Sequence, residues 1–240
     1  MPRGLAIPIL LYHRLGRPPR GARVPGQFVS SRLFRRHLAF LRGRGYQGVR
    51  LEALLEATPA LPAKPVAITF DDGYGCLYQQ ALPALVEYGF TATVFMVAGG
   101  LGTENYWEVA AGDVPAPMLT AAEMAEMQRA GLAFGSHTLN HPHLTALPAA
   151  DARRELVESR ARLEEALGAP CLTLAYPYGD WNQGVRDLAA EAGYRLACTT
   201  VRAAARLTDD RLALPRLNVR RYNLLPRFAF KLWQAKRRRA

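Results

Sequence analysis

Short apolar runs alternate with longer amphipathic stretches along the whole chain. The runs at residues 7–11, 66–70, 92–97, 133–135, 172–176, 196–200 and 214–219 are too short for helices. Their near-continuous apolar character suits strands buried on both faces. Between them a helical period of apolar positions covers residues 31–44, 78–88, 120–130, 149–167 and 183–192, with Ser31 and Thr120 placed as N-caps. Glu123 follows Thr120 by three residues and completes a capping box. Strand and helix in steady alternation predict a parallel sheet of about seven strands in a single barrel-like α/β domain. Two stretches break the rhythm: residues 14–28, rich in Pro and Gly, and residues 99–117. Both are expected as surface loops after strands, where long loops shape binding sites.

The 240 residues are half apolar, enough for one large core without staples. Cys76, Cys171 and Cys198 show no paired spacing, which argues against a disulfide framework and for buried free thiols. The N-terminal apolar run is broken by Pro8 and lacks a small-residue cleavage pattern. It reads as a first strand, no signal peptide is recognised, and the expected location is cytoplasmic or peripheral at the inner face of a membrane. No apolar segment is long enough to span a bilayer. The net charge of +11 is concentrated at one end: from Arg202 onward there are twelve Lys and Arg against two Asp. Residues 1–222 are therefore expected as the main domain and residues 223–240 as a basic aromatic tail. Leu224, Phe228, Phe230 and Trp233 mixed with Arg227, Lys231 and Lys236 suit an interfacial helix on an anionic membrane. A solvated terminal segment fits equally well. Nucleic acid is not an expected partner, because no recognised binding motif accompanies the basic tail.

The stretch TFDDGYG ends an apolar run with two adjacent carboxylates, Asp71 and Asp72. A turn would explain them, and so would chemistry at the end of a buried parallel strand. GSHTLNHPH helps decide. His137 and His141 are four apart, which on a helical turn puts both imidazoles on one side. Like the Asp pair, they follow an apolar run and so belong on the same sheet edge. One Asp and two His form a three-ligand metal set that leaves positions open, and the remaining Asp can serve as a base beside it.

Together, TFDDGY, SHTLNHP and LAYPYGDWN resemble, in order and separation, the signature motifs of the polysaccharide deacetylase family, carbohydrate esterase family 4. The chain is nearer the subgroup acting on exopolysaccharide poly-N-acetylglucosamine. The resemblance implies a distorted (β/α) barrel, a divalent metal, and removal of acetyl groups from amino-sugar glycans. It implies Asp71 as general base, Asp72, His137 and His141 as metal ligands, and the Tyr178 backbone N–H as an oxyanion donor. Trp181, Tyr176 and Tyr74 are the expected sugar-binding aromatics.

Two departures from the family pattern stand out. Many members carry Arg where Ala175 stands, and Arg216 is the expected substitute that orients the base. The late histidine that acts as general acid is missing, and His13, in a segment resembling the subgroup's opening motif, is expected to replace it. His37 is expected at the surface, and His143 as a support for the site rather than a ligand. Zinc is the default metal, with nickel, cobalt or iron fitting the same donors. The expected partner is an N-acetylated glycan or amino sugar, with membrane contact through the tail in addition. A small or lipid-linked amino sugar, a non-sugar amide, and a non-catalytic glycan-binding role are the alternatives.

Overall fold

The structure, a computed structural model, describes residues 5–56 and 61–237. Ten strands and seven helices follow one another: β1 (Ile9–Tyr12), β2 (Arg14–Leu15), β3 (Phe28–Val29), α1 (Ser31–Gly43), β4 (Gln47–Gly48), β5 (Pro65–Phe70), α2 (Leu82–Tyr88), β6 (Thr93–Met96), α3 (Tyr106–Ala110), α4 (Ala121–Arg129), β7 (Ala133–Ser136), α5 (Ala149–Leu167), β8 (Thr173–Ala175), α6 (Gln183–Glu191), β9 (Leu196–Cys198), β10 (Leu217–Asn218) and α7 (Leu225–Ala235). Seven parallel strands run in the order β10-β1-β5-β6-β7-β8-β9, and β4 pairs with the start of β5. The seven-stranded parallel barrel read from the sequence is the observed architecture.

One extended segment draws the two ends of this sheet together. Leu214 bridges to Cys198 of β9, and three residues later Leu217 pairs with Leu10 of β1. Arg216 lies between those two contacts, its N–H donating to the Val201 carbonyl.

Alternation along the strands divides the core in two. Leu10, Tyr12, Val66, Ile68, Phe70, Val94 and Met96 join a large cluster with helical residues such as Phe34, Leu38, Leu85 and Leu156. Ile9, Ala67, Phe95, Ala175, Leu196 and Cys198 form a smaller cluster on the opposite, inner face. Gly135 belongs to that inner face by period, and it must be glycine: a Cβ there would lie 2.3 Å from Thr173 Oγ1 and 2.7 Å from the Phe95 ring.

Four local expectations change. The cap of α1 is Ser30, whose hydroxyl accepts from Leu33 N–H, while Ser31 turns to the Gln80 side chain. Thr120 caps α4 with the full capping box, as expected from the sequence. The loop at residues 14–28 contains β2 and β3, paired parallel, and the loop at residues 99–117 contains α3. Residues 223–237 are not a detached tail. Phe228, Leu232 and Ala235 of α7 are buried, at the i, i+4, i+7 spacing of an apolar helix stripe. Arg238 to Ala240 lie outside the described residues.

His37, expected at the surface, is fully buried instead. Its ring stacks on Phe228 at 4.0 Å, Nε2 donates to the Asn223 carbonyl at 2.7 Å, and Nδ1 accepts from the Tyr12 hydroxyl at 3.0 Å. These bonds suit the neutral ring, and burial pushes its pKa down to about 4, against an ordinary 6.5. The unfolded chain therefore takes up this proton first as pH falls, so the contribution of His37 is lost between pH 6.5 and 4. Urea denaturation across that window should show wild type losing up to about 3 kcal/mol more stability than His37→Gln. Parallel pH profiles would show that the ring does not titrate this way.

Candidate active site

The inner-face alternation of β5 runs Ala67, Thr69 and then Asp71, so the first carboxylate continues into the barrel interior. Its N–H donates to the Tyr12 carbonyl at 2.9 Å, extending the β1–β5 ladder by one residue. Arg216, fully buried on the closing segment, meets Asp71 with two parallel bonds, Nη1 to Oδ1 at 2.6 Å and Nη2 to Oδ2 at 2.8 Å. Its Nε donates to the Thr199 carbonyl at 2.9 Å and Nη1 also reaches Thr69 Oγ1 at 3.3 Å. Burial alone would raise the Asp71 pKa, but Arg216, with His137 and His13, holds it down at about 2. Asp71 is thus an ionised carboxylate in a dry setting.

Asp72 and Gly73 both take left-handed backbone, with φ of 73° and 85°. That turn sends the Asp72 side chain away from Asp71 and towards the loop after β7. His137 follows Gly135 by two and so keeps to the inner face. The histidine pair is not on a helix, contrary to the sequence reading. Thr138 and His141 are left-handed, with φ of 67° and 61°, and these two turns bring the rings together. Glu155 on α5 fixes the loop, accepting from Leu139 N–H at 3.0 Å and Asn140 N–H at 2.8 Å.

Asp72, His137 and His141 offer ligand atoms that all lie within 4.8 Å of one another. His137 Nε2 and His141 Nε2 each stand 3.5 Å from Asp72 Oδ1, too long for hydrogen bonds yet converging on one point. His137 Nδ1 donates to the Ala175 carbonyl at 2.7 Å, which fixes the tautomer and turns the Nε2 lone pair inward. Burial lowers both imidazole pKa values, His141 the further, so the rings are neutral ligands. Burial, with Glu108 and Asp71 nearby, pushes the Asp72 carboxyl well above the carboxylate range, the condition a bound cation relieves. The donor set fits a divalent ion.

These groups line a cavity of about 600 Å³, within the range of small-ligand sites. His13 is on its wall, with Nδ1 buried and without a partner among the described residues. Burial pushes that ring down to about 4, Asp71 opposing the shift. Tyr178 also lines the cavity, at φ 61°, and its N–H donates to no backbone acceptor among the described residues. Its ring is sandwiched between His143, stacked at 3.9 Å, and the edge of His141 at 4.7 Å. His143 is in turn held by Asp180, 3.4 Å away.

The other expected aromatics lie elsewhere. Tyr176 is fully buried, one residue past inward-facing Ala175, with its hydroxyl on the Leu212 carbonyl at 2.9 Å. Trp181 packs on Tyr176 and the core rather than on the cavity. Tyr74 is buried, its hydroxyl donating to Glu108 and accepting from Arg14 at 2.6 Å. The aromatic wall is instead Trp107 of α3, stacked 5.6 Å from the His141 ring. Its place in a long loop after a strand was the available signal. Glu108 and Asp113 of the same loop stand on that side, both contacted by Arg14. Arg23, Arg202 and Arg220 also line the cavity.

Three donors suited to a divalent ion, with an ionised carboxylate beside them at the carboxyl edge of a parallel barrel, make an arrangement that fits a hydrolase site. The sequence profile of the polysaccharide deacetylase family matches residues 58–197. The chain is 31% identical to YxkH of Bacillus subtilis (strain 168) over 216 residues, 89% of this chain and 71% of that protein. It is 26% identical over 200 residues to the poly-beta-1,6-N-acetyl-D-glucosamine N-deacetylase of Staphylococcus aureus (strain MRSA252), covering 79% and 67% of the two chains. The solved structure of the Streptococcus pyogenes deacetylase PplD in complex with acetate superposes with a TM-score of 0.80 at 26% identity, over 97% of this chain and 99% of that one. The protein belongs to the polysaccharide deacetylase family, whose members use a divalent metal.

Two measurements check the site. Arg216→Met leaves Asp71 buried without its partner and should cost about 3–5 kcal/mol in urea denaturation. The double variant Asp71→Asn/Arg216→Met should recover part of that loss, whereas strict additivity would mean the pair is not coupled. In cobalt(II) titrations wild type should bind one ion per chain, and Asp72→Asn or His141→Ala should lose that stoichiometric binding.

Proposed function

We propose that this protein hydrolyses the N-acetyl group of an amino-sugar glycan, releasing acetate and a free amine. The observation that supports this most directly is Asp71, kept ionised by Arg216 on the same cavity wall as the three-ligand set. Asp72, His137 and His141 would hold the ion, zinc first among the candidates and nickel, cobalt or iron compatible. When bound, such an ion acidifies water and polarises a carbonyl.

The chain's own residues supply the rest. Asp71 accepts a proton from the attacking water as the new C–O bond forms. The Tyr178 N–H, with no backbone acceptor among the described residues, donates to the oxygen that becomes negative. His13 delivers a proton to the nitrogen as the C–N bond breaks, because an amine does not leave as an anion. That ring is neutral at rest, so the proton it delivers is the one Asp71 has taken from water and hands on to it. The negative charge of the intermediate adds to the pull by which Asp71 already favours the protonated ring. Trp107 gives a sugar ring an apolar face to lie against. The glycan class is supported by the staphylococcal relative, named for a poly-N-acetylglucosamine substrate.

A second reading concerns location. On and beside α7, Leu224, Phe230 and Trp233 are 50–57% exposed next to Arg227 and Arg237. This arrangement favours peripheral contact with an anionic lipid surface. Phe230→Ser/Trp233→Ser should reduce co-sedimentation with phosphatidylserine vesicles, and unchanged binding would remove the membrane reading.

Acetate release from N-acetylglucosamine oligomers tests the main reading. Metal-loaded wild type should release acetate, and Asp71→Asn should lose about 100-fold or more. His13→Ala should lose turnover yet bind its ion as wild type does, and turnover equal to wild type would overturn the acid assignment.

A further inference from the structure

A second cavity, of about 250 Å³, lies between α7 and the segment around β10. Arg202, Asn218 and Arg220 belong to its wall and to the wall of the catalytic cavity. The two spaces are therefore neighbours sharing one side, and a ligand seated in one can extend into the other. To that shared wall the second cavity adds Arg227 and Lys231.

Four cations face a small space, and among the described residues none of them forms an ion pair with a carboxylate. Lys231 Nζ donates to the Asn218 carbonyl and to Asn223 Oδ1 at 3.1 Å, and Arg227 lies over the Tyr222 ring at 4.9 Å. Burial, reinforced by Arg202, Arg227 and Arg220, lowers the Lys231 pKa to about 8. Like charges thus gather here with no carboxylate partner among the described residues, an arrangement that favours an anionic ligand. Asn223 is fully buried, and its Nδ2 has no partner among the described residues. A buried donor left over in this way costs about 1–3 kcal/mol unless an acceptor arrives.

We propose that this second cavity is an anion subsite that takes a phosphate group carried by the amino-sugar substrate, beside the unit that loses its acetyl group. The inference rests on the deacetylase reading of the neighbouring cavity. A phosphate suits the site better than a carboxylate. A planar carboxylate is satisfied by one bidentate arginine, whereas the tetrahedral array of phosphate oxygens can meet several cations from different sides. The phosphate can belong to the glycan itself or join the sugar to a lipid. Tyr222 and Phe230, half-exposed apolar residues on the same wall, would meet the lipid chain in the second case.

The test compares an unphosphorylated glucosamine disaccharide, its 1-phosphate, and its 1-phosphodiester to a decyl chain. Binding of these deacetylated forms to metal-loaded wild type is measured by calorimetry, and acetate release is followed in parallel with their N-acetylated counterparts. The 1-phosphate should bind about tenfold tighter than the unphosphorylated sugar, and the gain should shrink with added NaCl. In Arg202→Gln/Arg227→Gln, which alters two exposed side chains, the ratio should fall towards one. It should persist in Arg153→Gln, where the lost cation is paired with Glu191. Equal affinities in wild type, or a preference that survives the double change, would overturn the subsite. A further gain from the decyl chain that disappears in Phe230→Ser supports the subsite with a lipid-linked phosphate, and no further gain supports it with a glycan phosphate. Acetate release without phosphate preference refutes the subsite alone. Phosphate preference without acetate release from any substrate refutes the deacetylase reading and leaves the anion subsite standing.

Discussion

The buried pair between Asp71 and Arg216 is the constraint around which the molecule is arranged. Removing two charges from water is expensive, and their attraction offsets this only when geometry is good and the remaining donors are satisfied. Both conditions hold, because the fork is bidentate and the guanidinium also reaches Thr199 and Thr69. The partners come from distant parts of the chain: Asp71 extends a central strand, and Arg216 belongs to the segment that draws the two ends of the sheet together. The same contact therefore joins the barrel's seam to the edge that carries the candidate site, and the Asp71 carboxylate cannot be oriented until the seam is in place.

The rest of the site follows from alternation. Asp71 and His137 are each the next inward residue of a strand that has just ended, and left-handed turns re-aim the groups beyond them. The cavity is also polarised. Glu108 and Asp113 stand on one side with Trp107, and Arg202 and Arg220 on the wall shared with the second cavity.

How much of this is legible in the sequence depends on what sets each position. The seven strands, the Asp pair and the histidine pair are readable because apolar runs mark the strands and polar chemistry follows at their ends. Arg216 is readable because the family position at Ala175 lacks its arginine and a charge in an apolar strand must find a partner. Tyr176 could have been assigned correctly, since alternation from inward Ala175 turns it outward. His37 sits among Leu33, Phe34, Leu38 and Leu41, the buried stripe of α1, and that spacing argued for burial. Trp107 is different: its direction depends on an irregular loop, where no period operates. The docking of α7 is intermediate, its stripe being visible while the surface it covers is not.

Non-glycine residues with positive φ number four among the described residues, Asp72, Thr138, His141 and Tyr178. All four lie in the loops that form the candidate site. For L-residues this conformation costs roughly 1–2 kcal/mol each, so the unfavourable backbone of the barrel is concentrated where it touches substrate. Relaxing the fold and sharpening its chemistry thus pull against each other at the same few positions. A lineage selected only for heat resistance would drift towards glycine there, and would lose its aim before it lost its shape.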